Sequence, residues 1–132
     1  MLNKTPKKIL VIEDDKLLRD LYVELLKSEG YHVEEAGDGE EGFNKAEQGE
    51  WDLILLDIML PKKDGISILM DLKARPPKNA NGPIVVLTNL SQDKIIKQCL
   101  SCGASYFLIK STLTPNDVVK EVNTFISEGT KK

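Results

Sequence analysis

The chain has 132 residues, 41% of them hydrophobic and 30% charged, with a formal net charge of −3. That length suits one domain of roughly 100–150 residues with its own core, and the composition excludes a disordered or fibrous chain. Slight acidity argues against a nucleic-acid-binding module, which needs a concentrated basic face, and no apolar run approaches the roughly 20 residues that span a bilayer.

After a basic start, MLNKTPKK, the run Ile9–Ile12 predicts a first strand. Glu13, Asp14 and Asp15 cut it off well short of the ~7–15 apolar residues of an export signal, so the expected compartment is the cytoplasm. Leu17, Leu18, Leu21, Leu25 and Leu26 follow as one apolar stripe at helical spacing, with Gly30 as its stop. His32–Ala36 predicts a second strand, and Glu40–Gln48 a helix weakened by glycine near its start. Trp51 is expected to cover the edge of a third strand, Leu53–Leu56. Gly65–Ala74 is a further helix, followed by the longest loop, Lys73–Pro83, with three prolines. A fourth strand at Ile84–Leu87 precedes a helix carrying Ile95, Ile96, Cys99 and Leu100, stopped at Gly103. The fifth strand is Tyr106–Ile109. The sequence Thr114-Pro115-Asn116-Asp117 then reads as a capping box opening a helix with Val118, Val119, Val122, Phe125 and Ile126 on one face.

Most of the five runs are continuous rather than alternating, as expected for strands buried on both faces of a parallel sheet. The alternation of strand and helix predicts an α/β fold with right-handed crossovers and helices on both faces. Ligands bind such sheets outside the carboxyl ends of the strands. Those ends carry Glu13-Asp14-Asp15, Asp57, Thr88 and Lys110.

Two carboxylates about 5 Å apart repel by roughly 3 kcal/mol at an effective dielectric near 20. Glu13, Asp14 and Asp57 brought together must therefore protonate, pair with a cation or bind a metal. Lys110 offsets one charge, and the hard oxygen donors suit Mg²⁺ better than zinc or copper. A carboxylate attacking phosphorus needs charge neutralised on the transferred oxygens more than it needs a base. Asp57, alone at its strand end, is the natural acceptor, and the Thr88 hydroxyl can donate to the transferred group. The residues thus predict a Mg²⁺-dependent aspartyl-phosphate site. Its four charged groups carry −2 of the net −3.

The strings KKILVIEDD, LILLDIMLPKKDG, PIVVLTN and GASYFLIK, in this order, resemble the receiver domain of bacterial response regulators in two-component signalling. The likeness runs from about Lys8 to Ser127, so positions 1–132 are expected to be a single, chemotaxis-regulator-like receiver without an output domain. It implies a flavodoxin-like, doubly wound five-stranded parallel sheet in the order 2-1-3-4-5. It also implies Asp57 as phosphoacceptor and a metal site of Glu13, Asp14, Asp57 and the Met59 backbone carbonyl. Lys110 would hold the phosphoryl group, and Thr88 with Phe107 would form a switch pair. The implied partners are a histidine kinase or phosphotransfer protein and a downstream protein target, with no direct contact to nucleic acid or membrane, in a monomer or a phosphorylation-dependent dimer. The implied role is a switch rather than an enzyme. A phosphorylation-independent docking module is the alternative.

Three positions depart from the family pattern. Ser111 stands where proline is usual, which removes the ordinary reason for a cis bond. Asn89 replaces a very small residue, and Phe107 stands where tyrosine is frequent. Met59 and Leu90 resemble the variable positions that flank the attacking water in receivers, and both are apolar. Rival chemistries fit less well. A haloacid-dehalogenase-type phosphatase needs an aspartate where Met59 stands, and a flavodoxin needs a Ser/Thr/Gly-rich loop where Glu13-Asp14-Asp15 stands. Cys99-Leu100-Ser101-Cys102 closes a helix instead of opening one, so it reads as core and not as a redox motif. Lys62-Lys63 reads as solvated charge.

Overall fold

The computed structural model describes residues 5–130. Strands β1 (Lys8–Ile12), β2 (His32–Ala36), β3 (Leu53–Leu56), β4 (Ile84–Thr88) and β5 (Tyr106–Ile109) alternate with five helices. These are α1 (Lys16–Ser28), α2 (Gly39–Ala46), α3 (Gly65–Ala74), α4 (Asp93–Ser101) and α5 (Pro115–Thr130), with a 3₁₀ turn at Lys110–Thr112 between β5 and α5. All pairings are parallel and the sheet runs β2-β1-β3-β4-β5. The expected α/β sheet and its strand order are those observed.

Alternate strand residues feed two cores. Ile9, Val11, Leu53, Leu55, Val85 and Leu87 meet the buried faces of α1 and α5. Leu10, Ile12, Ile54, Leu56 and Val86 meet residues of α2, α3 and α4. A strand flanked on both sides has no solvent face, which is why these runs are continuously apolar.

The helices differ in how well their leucine spacing foretold burial. In α5, Val118, Val119, Val122 and Phe125 are buried as expected. Its capping box is complete: Thr114 Oγ1 accepts from Asp117 N–H at 3.1 Å, and Asp117 Oδ2 accepts from Thr114 N–H at 3.0 Å. The α1 stripe is corrected. Leu17 is 74% exposed and Leu21 41%, while Tyr22, Val23 and Leu26 face the sheet. Counting leucines alone placed the stripe on a flank, because Tyr22 and Val23 supply the inward face. In α4 only Cys99 is buried and Leu100 points outward. Gly30 and Gly103 take positive φ at the ends of α1 and α4, as helix stops do.

The glycines that open α2 and α3 are required by close approach. A Cβ on Gly39 would lie 1.6 Å from the Lys63 carbonyl oxygen, and one on Gly65 would lie 2.4 Å from the Asp57 carbonyl oxygen. Both helices start hard against the loop that follows β3.

The proline-rich loop after α3 is tied to the segment before β3. Asn81 accepts from Trp51 N–H and donates to the Ala46 carbonyl, both at 3.0 Å. Gly82 N–H donates to the Trp51 carbonyl, and Asn79 exchanges bonds with Glu50 through main chain and side chain. Trp51 itself is corrected: it lies inside the core at 2% exposure and donates Nε1–H to the Lys45 carbonyl. The sheet order makes β3 central, so no strand edge exists there to cover.

Candidate functional site

Register brings the acidic groups together. Ile12 pairs with Leu56, and Asp57 N–H donates to the Ile12 carbonyl at 3.1 Å, so Glu13 and Asp57 emerge side by side. The chain moves outward from β1 to β2 and returns on the other side as β3, so these neighbours flank the point where strand order reverses. Thr88 pairs with Ile109 across β4 and β5, which sets Lys110 one residue past that level.

Glu13 is 3% exposed and Asp57 5%, whereas Asp14 is exposed. One carboxylate oxygen from each of the three lies within 4.8 Å of the others. Lys110 Nζ lies 2.5 Å from Glu13 Oε1 and 2.7 Å from Asp57 Oδ2, bridging the two buried acids. The second Asp57 oxygen, Oδ1, accepts from Ile58 N–H at 2.7 Å and Met59 N–H at 3.3 Å. Glu13 Oε2 accepts from Asp15 N–H at 3.1 Å. Asp15 in turn caps α1 through Leu18 N–H.

Burial pushes the Glu13 carboxyl above its ordinary value, opposed by the hydrogen bonds from Lys110 and Asp15 and reinforced by the nearby Asp57 charge. For Lys110, burial alone would lower the value. The hydrogen bonds and charges of Asp57 and Glu13 outweigh it, and the ammonium is held above its usual range. Burial also raises Tyr22 of α1 to about 12, within the field of Lys110, Glu13 and Asp57, so it stays neutral at physiological pH. One ammonium against two buried carboxylates and the exposed Asp14 leaves a net negative pocket of hard oxygen donors. That donor set suits a divalent cation with oxygen preference.

Thr88 is 1% exposed, and its Oγ1 accepts from Leu90 N–H at 3.5 Å. Phe107 is half-buried against the core of α2, α3 and α4. Met59 points its side chain out at 63% exposure, Leu90 is half-buried, and Asn89 is exposed beside Thr88. Lys110–Thr112 forms its 3₁₀ turn with no cis peptide bond among the described residues, and Lys110 still reaches both acids. The lysine pair is corrected in part. Lys63 is ion-paired with Asp71 and lies over the Phe43 ring at 5.0 Å, while Lys62 makes a looser 3.5 Å pair with Asp38. Cys99 is buried and Cys102 half-buried, both as free thiols, and burial pushes the Cys99 thiol up, the opposite of an activated sulfur.

Two residues near the site carried no signal of their own in sequence. Arg19 of α1 reaches back to the Glu13 carbonyl, and Gly37 after β2 lies beneath its guanidinium. The only clue was an arginine one turn beyond the acidic strand end, and its carboxylate partner, Glu35, lies on β2.

Comparison with known proteins agrees with this geometry. The family model described as response regulator receiver domain matches residues 9–123. The transcriptional regulatory protein PdtaR of Mycobacterium tuberculosis is 37% identical over 106 residues, covering 80% of this chain and 50% of that protein. The chain spans about half the length of that curated relative and of ResD from Bacillus subtilis. A CheY-like response regulator receiver domain protein from Methanospirillum hungatei superposes with a TM-score of 0.84 at 29% identity, over 96% of this chain and 98% of that one. The BeF3-activated receiver domain of RstA from Klebsiella pneumoniae gives 0.78 at 32% identity, over 91% and 98%. With the family model matching most of the chain and the strand order in agreement, the chain belongs to the response regulator receiver domain family of two-component signalling.

Proposed function

We propose that Asp57 accepts a phosphoryl group from a histidine kinase or phosphotransfer protein, in a Mg²⁺-dependent reaction that sets the state of a signalling switch. The observation that carries this reading is the geometry of Lys110, which bridges buried Asp57 and Glu13 beside exposed Asp14. Glu13, Asp14, Asp57 and the Met59 backbone carbonyl would hold the cation. When bound, Mg²⁺ supplies positive charge that neutralises the phosphoryl oxygens.

An Asp57 carboxylate oxygen attacks phosphorus and a new O–P bond forms. The donor's bond to phosphorus breaks, and its electron pair leaves with the donor. The N–H groups of Ile58 and Met59 hold the Asp57 side chain in place, since both donate to Oδ1. Lys110 exchanges a carboxylate partner for a phosphoryl oxygen, and Thr88 turns its hydroxyl towards another. Movement of Thr88 draws Phe107 inward, and the surface of α4, β5 and α5 changes for a protein partner.

Labelled acetyl phosphate with Mg²⁺ tests the assignment. Wild type is expected to take up label and Asp57→Asn to lose it. Equal labelling of both would overturn the reading, and labelling of neither would favour a phosphorylation-independent docking module.

A further inference from the structure

We propose that Arg19 is a positioning residue for the acidic pocket, acting through the Glu13–Asp14 peptide; the inference deepens the proposed reading of that pocket and rests on it. The guanidinium makes two directed bonds that tie three elements together. Nη1 donates to the Glu13 carbonyl at 2.7 Å, and Nε donates to Glu35 Oε1 of β2 at 2.9 Å. The side chain is only 15% exposed, so these are charge-assisted bonds in a partly desolvated setting, stronger than their surface counterparts.

Glu13 is thereby fixed on every polar group. Its N–H donates to the Ala36 carbonyl at 3.1 Å, its carboxylate takes Lys110 and Asp15 N–H, and its carbonyl takes Arg19. That carbonyl belongs to the peptide leading into Asp14, the one pocket carboxylate that is exposed. Among the described residues no hydrogen bond is recorded to the Asp14 side chain, so its aim is set by the backbone that precedes it, and Arg19 holds that backbone.

Gly37 completes the arrangement. A Cβ there would lie 3.0 Å from Arg19 Nη1 and 3.4 Å from Cζ, so the guanidinium occupies space that any side chain at position 37 would contest. Glu35 is itself held from the other side of β2, where Lys45 Nζ of α2 donates to its carbonyl at 2.6 Å. Outer groups of this kind orient oxygen donors before a cation arrives, and their loss costs about tenfold or more in metal affinity.

The test is Mg²⁺ titration by calorimetry on the full chain, at a temperature where circular dichroism shows each variant fully folded. Arg19→Met is expected to weaken Mg²⁺ binding about tenfold. Arg19→Lys should fall between, because one ammonium reaches the Glu13 carbonyl or Glu35 but not both. Gly37→Ala, which displaces the guanidinium without removing it, should move affinity the same way and serves if Arg19→Met does not fold. Asn123→Ala is the control for lost stability: it breaks the bonds from α5 to Tyr31 and Glu29 and should lower the melting temperature with Mg²⁺ affinity unchanged. A second readout needs no metal: the Asp14 amide nitrogen resonance, adjacent to the Glu13 carbonyl, should shift in Arg19→Met. Wild-type Mg²⁺ affinity in Arg19→Met overturns the proposal. If wild type itself binds no Mg²⁺, the metal reading fails; the Asp14 resonance then decides alone, an unmoved signal overturning the role of Arg19.

Discussion

Lys62 holds φ at 71°, a left-handed conformation that costs an L residue about 1–2 kcal/mol where no compensating contact exists. Its ion pair with Asp38 spans 3.5 Å on a side chain 59% exposed, too weak a link to offset that cost. Lys62→Gly is therefore expected to stabilise the chain by about 0.5 kcal/mol after glycine's own entropy is counted, read as a higher urea midpoint at constant slope. A lower midpoint would mean that the lysine side chain matters more than its backbone. Met59 and Leu90 bear on the lifetime of the phosphorylated state. By the receiver resemblance both positions would flank the attacking water, and neither side chain can orient it, so hydrolysis of the aspartyl phosphate should be slow. A half-life of seconds, unaltered when both positions are made polar, would sink that expectation. At this scale the sequence was legible wherever chemistry sat directly at a strand end, as with Glu13, Asp57, Thr88 and Lys110. It was mute for Arg19 and Lys63, whose partners are set by which strand and loop lie next to them in space.

Among the helices, the contrast between α4 and α5 is the informative one. The α5 helix opens with a reciprocal capping box and buries four of its described residues, whereas α4 has Gln92 at its N-cap with no side-chain hydrogen bond and buries only Cys99. Thr114→Ala removes one of two reciprocal bonds and should cost about 1 kcal/mol. The Asp117 carboxyl is held below its ordinary value, first by the Thr114 N–H and then by the Thr114 hydroxyl. A depressed carboxyl contributes stability above its unfolded value near 3.8, lost as pH falls through the folded one. The penalty of Asp117→Ala, measured by urea unfolding, should therefore shrink below pH 4; a penalty unchanged down to pH 2 would contradict the capping account. The α5 face could be read from its valines because nothing competed for them. The α1 face was legible only in part: Leu18, Leu25 and Leu26 pack on the core as their spacing implied, but Leu17 and Leu21 are exposed and Tyr22 and Val23 take inward places.

For the molecule as a whole, the sheet separates two ends. The candidate metal donors, the bridging lysine and the proposed acceptor gather at the carboxyl ends of β1, β3 and β5, with Thr88 ending β4. One flank ends in β5, whose four residues are all half-buried, between α4 and α5. On the proposed reading, a change at Thr88 would reach that flank through Phe107 of the neighbouring strand. Beryllofluoride with Mg²⁺, mimicking the phosphoryl group, should shift amide resonances across α4, β5 and α5 more than across β2 and α2. An unchanged flank would refute the proposed output surface. Architecture was the most legible level of all, because three inner strands buried on both faces, flanked by two partly exposed edge strands, leave few ways to arrange the crossovers.

The segment between α3 and β4 looks in sequence like an ideal place to cut or extend the chain, rich in proline and asparagine and free of regular structure. Its ties to Trp51, Glu50 and Ala46 make it instead a floor beneath the central strand. A fusion tag, reporter graft or permuted terminus placed there would disturb the start of β3, and with it the strand that carries Asp57.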